Sequence, residues 1–357
     1  MMFIPKRIFA AFLLCSLFGL AAFAQSRGAF TVGKITAQPG ETKSGMIEVP
    51  AGKDAATQIP VSVIHGAQAG PTLALIGGNH GYEYTPILAL QRLLPRLDPK
   101  QMAGTVILVH VANMPSFLGR TIYYSPVDGK NLNRVYPGKA DGTVSERITL
   151  QITKEVIERA DYVIDLHCGD GNESLRPYSY WDVKGGSKEV VERSGQLALA
   201  FGLARIVMDT ERPTDPANSL YCSTTATTRG KPAITIESGG LGATDEESIA
   251  QIERGVMSVM RHLKMIEGQP LKVERPMFID RSEVLRSTET GIFYPLVEKG
   301  HTVVKGMLMG YVTDFFGKKI FELRAPFSGE ALYILGTPPV SKGEPLAMVG
   351  HIADTEK

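Results

Sequence analysis

The chain has 357 residues, of which 38 are basic and 37 acidic, and its formal net charge is +1. This balance argues against a nucleic-acid-binding protein, which usually carries a clear basic excess or stripe. Charged residues make up 21% and apolar residues 43% of the chain. These proportions are those of an ordinary globular protein and exclude a disordered one. The length favours one large domain with a smaller domain attached.

The first 24 residues predict a signal peptide. Lys6 and Arg7 form a short basic region, an apolar run covers residues 8–22, and residues 22–24 (AFA) supply a signal-peptidase site. The alternative is an uncleaved membrane anchor, for which the apolar run is short. We therefore expect cleavage before Gln25, no stable membrane anchor, and a periplasmic or secreted protein.

The next part of the chain alternates apolar runs with helical patterns. Four buried strands are predicted at residues 71–78, 105–111, 162–166 and 233–236. Helices are predicted at 85–95, with Thr85 as N-cap and Pro86 as first residue, at 145–160 and at 246–265. Apolar strands alternating with helices indicate an α/β fold with a mixed, mainly parallel sheet and helices on both faces.

The pattern changes near residue 269. Short β-like runs separated by glycine and proline predict a small all-β domain. Segments 297–310 and 325–332 resemble a lipoyl- or biotinyl-like barrel-sandwich. This domain would form a cap or an oligomerisation surface beside the α/β domain. The predicted organisation is a signal peptide at 1–24, an N-terminal arm or strands at 25–57, an α/β domain at 58–268 and a C-terminal β-domain at 269–357.

Acidic and imidazole side chains follow three of the predicted strands. His80 and Glu83 come after the first strand, His167 after the third and Glu237 after the fourth. Side chains at the carboxyl ends of parallel strands converge. Two imidazoles and one carboxylate suit a catalytic zinc ion that keeps an open position for water. Taken alone, the His80–Glu83 pair is a weak signal, and a loop histidine bonded to the backbone is the alternative.

Residues 129–138 (GKNLNRVYPG) place Asn133 beside Arg134. The guanidinium of arginine is a rigid fork that suits a carboxylate, and an adjacent asparagine adds a neutral donor. The alternative for Arg134 is a surface salt bridge. There is no H-E-x-x-H helix, so the zincin arrangement is excluded.

Four segments carry a resemblance to the succinylglutamate desuccinylase/aspartoacylase family, which has a zinc carboxypeptidase-like fold. They are GGNHGYE (77–83), DGKNLNRVYPG (128–138), VIDLHCG (163–169) and ITIESGG (234–240). They occur in the order typical of the family, across roughly residues 60–265.

The resemblance implies a role for each candidate residue. His80, Glu83 and His167 would be the ligands of one zinc ion per chain, which makes residues 58–268 a zinc-hydrolase catalytic domain. Asn133 and Arg134 would bind a substrate carboxylate. Glu237 would be the catalytic base and acid, and Arg120, in the segment LGRT, would help to polarise the scissile carbonyl.

The resulting hypothesis is an exported zinc-dependent deacylase that cleaves the amide bond of an N-acyl amino acid or a related carboxylate-bearing substrate. Zinc lowers the pKa of a bound water and polarises a carbonyl, which fits this reaction. The alternatives are a metallocarboxypeptidase or peptidoglycan-peptide amidase with the same site, and a non-catalytic binding protein that retains the fold. The sequence leaves open whether the substrate is an acylated free amino acid or a peptide, and whether the scissile bond is an amide or an ester. It also leaves the oligomeric state open.

Asp165, Cys168 and Tyr221 are further candidates. Asp165, two residues before His167, would be a partner of that ligand or only a strand-end carboxylate. Cys168 would be a fourth ligand of the metal, or a buried or disulfide-bonded cysteine. Cys168 and Cys222 can form at most one disulfide in the mature chain. Tyr221 lies in a polar stretch (209–231) that would form a mobile wall or lid, from which its hydroxyl would donate to the substrate.

Overall fold

The computed structural model describes residues 27–353. The predicted signal peptide lies outside the described residues. Among residues 27–353, no helix combines the length and the apolar character needed to cross a membrane. The α-helices are α1 (Tyr84–Leu93), α2 (Met114–Gly119), α3 (Val144–Ile152), α4 (Lys188–Phe201), α5 (Cys222–Thr227) and α6 (Glu246–His262).

The strands fall into one large sheet, one four-stranded sheet and one two-stranded ribbon. In chain order they are β1 (Phe30–Val32), β2 (Ile35–Ala37), β3 (Glu41–Val49), β4 (Thr57–His65), β5 (Gln68–Gly77), β6 (Ala103–Val109), β7 (Tyr162–His167), β8 (Glu173–Leu175), β9 (Tyr178–Asp182), β10 (Arg205–Asp209), β11 (Ala233–Glu237), β12 (Met277–Arg286), β13 (Gly291–Pro295), β14 (Thr302–Val303), β15 (Leu308–Thr313), β16 (Lys319–Arg324), β17 (Gly329–Leu335), β18 (Pro339–Val340) and β19 (Pro345–Ile352).

The large sheet has the order β14-β17-β19-β12-β10-β9-β11-β7-β5-β6-β4-β3, with β8 paired to β17. At its centre β11, β7, β5 and β6 run parallel, whereas β9 is antiparallel to β11 and β4 is antiparallel to β6. The sheet is therefore mixed, as the sequence predicts.

Helices cover both faces of this sheet because alternate residues of each strand point to opposite sides. On β5, Leu73 and Leu75 join the core that contains residues of α1, α4 and α6. Ala74 and Ile76 join a second core, which contains residues of α3 and α5. This two-sided burial explains the continuous apolar runs and confirms the predicted fold class.

Helix α1 begins earlier than the sequence indicates. Its N-cap is Glu83 and its first residue is Tyr84, so the prediction of Thr85 as N-cap is wrong. The hydroxyl of Thr85 instead donates to the carbonyl of Ala243 at 2.8 Å. This bond ties the helix to the segment that follows β11, and it leaves Glu83 at the helix start, next to the strand ends.

The second predicted helix is two structures in succession. Thr143 and Glu146 form a capping box at the start of α3, which satisfies two amide groups that a helix start leaves without partners. After Ile152 the chain continues as one π-helical turn over Thr153–Ile157. The helical spacing of apolar residues over 145–160 cannot distinguish a π-helical turn from a continuous α-helix.

The large sheet extends across the predicted boundary at residue 268. Strand β12 pairs in parallel with β10 and antiparallel with β19. Four further strands of this region form an antiparallel sheet of order β16-β15-β13-β18. At the other end, β3 pairs with β4 and β4 with β6. The large sheet is thus continuous across the predicted boundaries at 57/58 and 268/269. The domain boundaries themselves stay predictions.

Candidate active site

The candidate residues meet at one edge of the large sheet. His80 and Glu83 follow β5, His167 is the last residue of β7, and Glu237 is the last residue of β11. These three strands are parallel neighbours, and Glu237 is the direct register partner of His167. The carboxyl ends of the strands therefore deliver all four side chains to the same place.

His80, Glu83 and His167 form a buried group whose potential ligand atoms all lie within 4.8 Å of one another. Glu83 lies between the imidazoles, with Oε1 2.6 Å from His80 Nδ1 and Oε2 2.7 Å from His167 Nδ1. Two imidazole nitrogens and one carboxylate are the donor set of catalytic zinc sites. The three side chains therefore have the chemistry needed to hold a zinc ion.

The second nitrogen of each imidazole has a partner of its own. His80 Nε2 lies 3.0 Å from Asn131 Oδ1, and His167 Nε2 lies 3.1 Å from Asp165 Oδ1. Such partners fix the orientation and the tautomer of metal-binding histidines. The structure thus favours the interpretation of Asp165 as a partner of His167. Asn131 was missed by sequence reasoning.

Asp165 is itself held in place by amide groups. Asn79 Nδ2 donates to its Oδ1 at 2.5 Å and Asn133 Nδ2 donates to its Oδ2 at 3.2 Å. The amide oxygen of Asn133 accepts the backbone N–H of Cys222 at 2.7 Å. Asn133 is buried and lines the cavity, with both ends of its amide bonded to protein groups.

Burial and neighbouring charges shift the pKa values of two carboxyl groups of the site in opposite directions. Burial by itself raises the pKa of Glu83, but His167 and His80 outweigh it and lower the pKa to about 2. Burial raises the pKa of Glu237 well above its usual range, with Glu83 adding to the rise and His167 opposing it. Glu83 is therefore held as an anion, whereas Glu237 has a strong tendency to take up a proton.

These side chains line a cavity of about 270 Å³. The candidate metal ligands, Glu237, Asn133 and Arg134 all belong to its lining. Sequence reasoning missed Glu173 and Arg212, which lie in segments without a recognised motif. It also missed Arg286 and Tyr333, which β12 and β17 bring to the cavity. The C-terminal strands thus supply part of the cavity wall.

Two arginines approach the ring of Tyr221 in this cavity. The guanidinium carbon of Arg134 lies 4.6 Å and that of Arg212 4.0 Å from the ring centroid. Asp209 accepts from Arg212 Nε at 2.5 Å, and Arg134 Nη1 donates to the carbonyl of Asn133 at 2.7 Å. Tyr221 therefore contacts the two cations, and Arg134 has no carboxylate partner among residues 27–353.

Arg120 is not brought to the cavity. It follows α2, is exposed, has a left-handed backbone (φ +53°) and is absent from the cavity lining. Its assignment to the scissile carbonyl stays a prediction from the family resemblance. The arginines that line the cavity together with the candidate metal ligands are Arg134, Arg212 and Arg286.

Cys168 and Cys222 are both buried and free in the described part of the chain. The thiol of Cys168 lies 3.5 Å from the carbonyl of Gly169 and does not join the group of potential metal ligands. The interpretation of Cys168 as a buried free thiol agrees with this position.

Comparisons with known proteins show the family of this chain. The model of the succinylglutamate desuccinylase/aspartoacylase catalytic domain matches residues 69–263. The chain is 32% identical over 322 residues to the N-alpha-acetyl-L-2,4-diaminobutyric acid deacetylase of Halomonas elongata, covering 87% of this chain and 92% of that protein. The chain belongs to the succinylglutamate desuccinylase/aspartoacylase family, as its motifs predict, and it is a hydrolase of the deacylase type.

Solved structures show the same fold. The product-bound ectoine utilization protein EutE (DoeB) of Ruegeria pomeroyi is 26% identical with a TM-score of 0.80, covering 89% of this chain and 98% of that one. A succinylglutamate desuccinylase from Silicibacter sp. TM1040 is 25% identical with a TM-score of 0.79, covering 90% and 98%. The similarity thus includes the C-terminal strands as well as the catalytic region.

Proposed function

We propose that this protein is an exported, zinc-dependent deacylase that hydrolyses the amide bond of an N-acyl amino acid or a related carboxylate-bearing substrate. The observation that carries the proposal is the convergence of His80, Glu83 and His167 beside Glu237, in one cavity with Arg134. The name of the Halomonas elongata relative supports an acetyl group on an amino acid as the substrate type.

His80, Glu83 and His167 would hold the zinc ion. Bound there, zinc would supply a Lewis acid that polarises a carbonyl and lowers the pKa of water. Asp165 and Asn131 hold the outer nitrogens of the two imidazoles, so that the inner nitrogens remain directed at Glu83. These contacts preorganise the site before substrate arrives.

Arg134 would bind the substrate carboxylate through its guanidinium, because no protein carboxylate competes for it among the described residues. This contact would fix the position of the scissile amide relative to Glu237 and reduce the entropic part of the barrier. The cation–π contact with Tyr221 restrains the guanidinium at the cavity wall.

Glu237 would act as general base and then as general acid. It would take a proton from the attacking water as the new C–O bond forms. It would return that proton to the nitrogen as the C–N bond breaks, which releases a carboxylic acid and an amine. Its place at the end of β11, in register with His167, sets it beside the candidate ligands.

The direct test is amine release from a panel of N-acetyl and N-succinyl amino acids and short peptides, with and without prior removal of metal by a chelator. We expect release from the acylated amino acids, loss after chelation and recovery with zinc. Release from peptides alone would instead favour the carboxypeptidase or peptidoglycan-peptide amidase alternative. No release from any member would contradict the proposal.

Export is supported by the pattern of residues 6–24. The guanidinium of Arg27 donates to the carbonyls of Gly66 and Gly104, both at 2.7 Å. Arg27, two residues after the proposed new N-terminus Gln25, is thus bonded to the α/β part of the protein. Expression of the full chain in a Gram-negative host, followed by N-terminal sequencing of the periplasmic protein, tests this part. A protein that keeps Met1 and stays in the cytoplasm would contradict it.

A further inference from the structure

Glu173 is a carboxyl group in the cavity wall that the proposed reaction does not use. It is the first residue of β8, it is half-buried, and it lines the same cavity as Glu237 and Arg134. Strand β8 pairs with β17, where Glu173 is the register partner of Leu335. The C-terminal strands therefore fix the position of this carboxyl group.

Hydrogen bonds hold the Glu173 carboxyl group without neutralising it. Its Oε1 accepts the hydroxyl of Tyr123 at 2.8 Å, and its Oε2 accepts the backbone N–H of Asp170 at 3.1 Å. Among residues 27–353, Glu173 forms no ion pair with a lysine, arginine or histidine. Both oxygens are oriented, and the charge of the ionised group is left uncompensated by the protein.

This lack of a cation has an energetic consequence. Burial, together with the charges of Glu83 and Asp170, raises the pKa of Glu173 to about 7. Burying a carboxylate without a cation is costly. A ligand that brings a positive charge into the cavity would remove this cost, so the wall is complementary to a cation.

The rest of the cavity agrees with a cationic group on the ligand. Tyr123, Tyr178 and Tyr333 line it, and aromatic faces attract ammonium groups. None of the three arginines of the cavity lining forms an ion pair with Glu173 within residues 27–353. Arg212 pairs with Asp209, both Arg212 and Arg134 lie on the ring of Tyr221, and Arg286 donates to the carbonyl of Gly343. The cavity therefore presents charges of both signs that do not cancel each other.

We infer that Glu173 determines specificity by binding an ammonium group on the side chain of the substrate amino acid, so that the preferred substrates are N-acylated diamino acids. This inference rests on the proposed function and extends it to a class of substrate. Arg134 would take the carboxylate of such a substrate while Glu173 takes its ammonium group.

The test compares two substrates of nearly equal size in wild type and in Glu173→Gln. N-acetyl-L-2,4-diaminobutyrate carries a terminal ammonium group, and N-acetyl-L-norvaline carries a methyl group in its place. The glutamine keeps an oxygen that accepts from Tyr123. Glu267→Gln, at an exposed position, is the matched control. The readout is the ratio of kcat/KM for the two substrates within each protein. This ratio does not depend on the concentration of active enzyme.

We expect wild type and Glu267→Gln to prefer the diaminobutyrate compound, and Glu173→Gln to lower this preference by about 10- to 100-fold, the effect of losing a hydrogen bond to a charged group. Hydrolysis of both substrates with an equal ratio in wild type and Glu173→Gln would overturn the inference and leave the proposed function standing. If wild type hydrolyses no N-acyl amino acid at all, the proposed function fails and the inference fails with it.

Discussion

Asp165 Oδ1 lies 3.1 Å from His167 Nε2, at the ring nitrogen opposite to the one that faces Glu83. The aspartate therefore orients a candidate metal ligand without belonging to the metal group. Both residues are buried, and both lie on β7, two positions apart, so that their side chains share one face of the strand.

Asp165→Asn is expected to weaken zinc binding by about 10- to 100-fold, as removal of such a partner does in other metal sites. The carboxylate accepts from Asn79 and contacts His167 at Oδ1 and accepts from Asn133 at Oδ2, whereas an amide has only one acceptor oxygen and cannot serve both sides. Competition with a chromogenic zinc chelator measures the change. Asp141→Asn, at an exposed position, is the control. Equal affinities in the two variants would show that Asp165 does not support the ligand.

Glu237→Gln is expected to keep its zinc and to lose activity. Glu237 is outside the group of potential metal ligands, whereas general acid–base catalysis contributes about 10²- to 10⁴-fold to rate. Zinc content and kcat are measured on the same sample. A variant that keeps more than about a tenth of the wild-type kcat would fall outside that range and would exclude Glu237 as the base.

Arg134→Gln is expected to raise KM for N-acyl amino acids and to leave the corresponding primary amides unaffected, because only the acid offers a carboxylate to the guanidinium. The loss should be about 10- to 100-fold, as for a charge-assisted hydrogen bond. Arg120→Gln is the comparison, since Arg120 lies outside the cavity lining. A large fall in kcat for Arg120→Gln would instead assign that arginine to the scissile carbonyl.

Glu146 supplies a stability test that is independent of the active site. Hydrogen bonding by Lys130 and by the N–H of Thr143 lowers the pKa of Glu146 to about 2, against the effect of burial. Because the folded pKa is below the unfolded one of about 4.3, its contribution is complete above that value and is lost as the pH falls towards 2.

Glu146→Gln should therefore lower the free energy of unfolding by about 1 kcal/mol near pH 7, as for other helix-start contacts. The difference from wild type should shrink between pH 5 and pH 3. Urea unfolding at a series of pH values measures it, with Glu267→Gln as control. A difference that stays constant over this range would contradict the role of the ionised carboxylate.

The sequence predicts the strand-end residues well because parallel strands deliver their following side chains to one edge. The four apolar runs and this rule are enough to predict that His80, His167 and Glu237 lie close together. Asn131 could not be predicted in the same way, because its contact with His80 spans 51 residues and depends on the path of a loop. Asn131 lies within the motif of residues 128–138, but the motif does not indicate which of its asparagines contacts a histidine.

Glu173 is a harder case. Its strand has only three residues, and its partner β17 lies in the C-terminal region. A three-residue strand has no periodicity to recognise, and its pairing depends on tertiary structure. The start of α1 shows the same limit, since the hydroxyl of Thr85 donates to the carbonyl of Ala243, which is distant in sequence. Local patterns thus predicted the framework and the side chains that converge at the strand ends, and missed other groups that line the cavity.

The central claim is that His80, Glu83 and His167 hold a catalytic zinc ion. The most direct measurement is zinc per chain together with amine release from N-acyl amino acids, in wild type, His80→Ala and the control His301→Ala, which changes an exposed histidine. Circular dichroism on each sample reports folding. We predict about one zinc ion per chain in wild type and in the control, with zinc and activity both lost in folded His80→Ala. A folded His80→Ala that keeps its zinc and its activity would contradict the account.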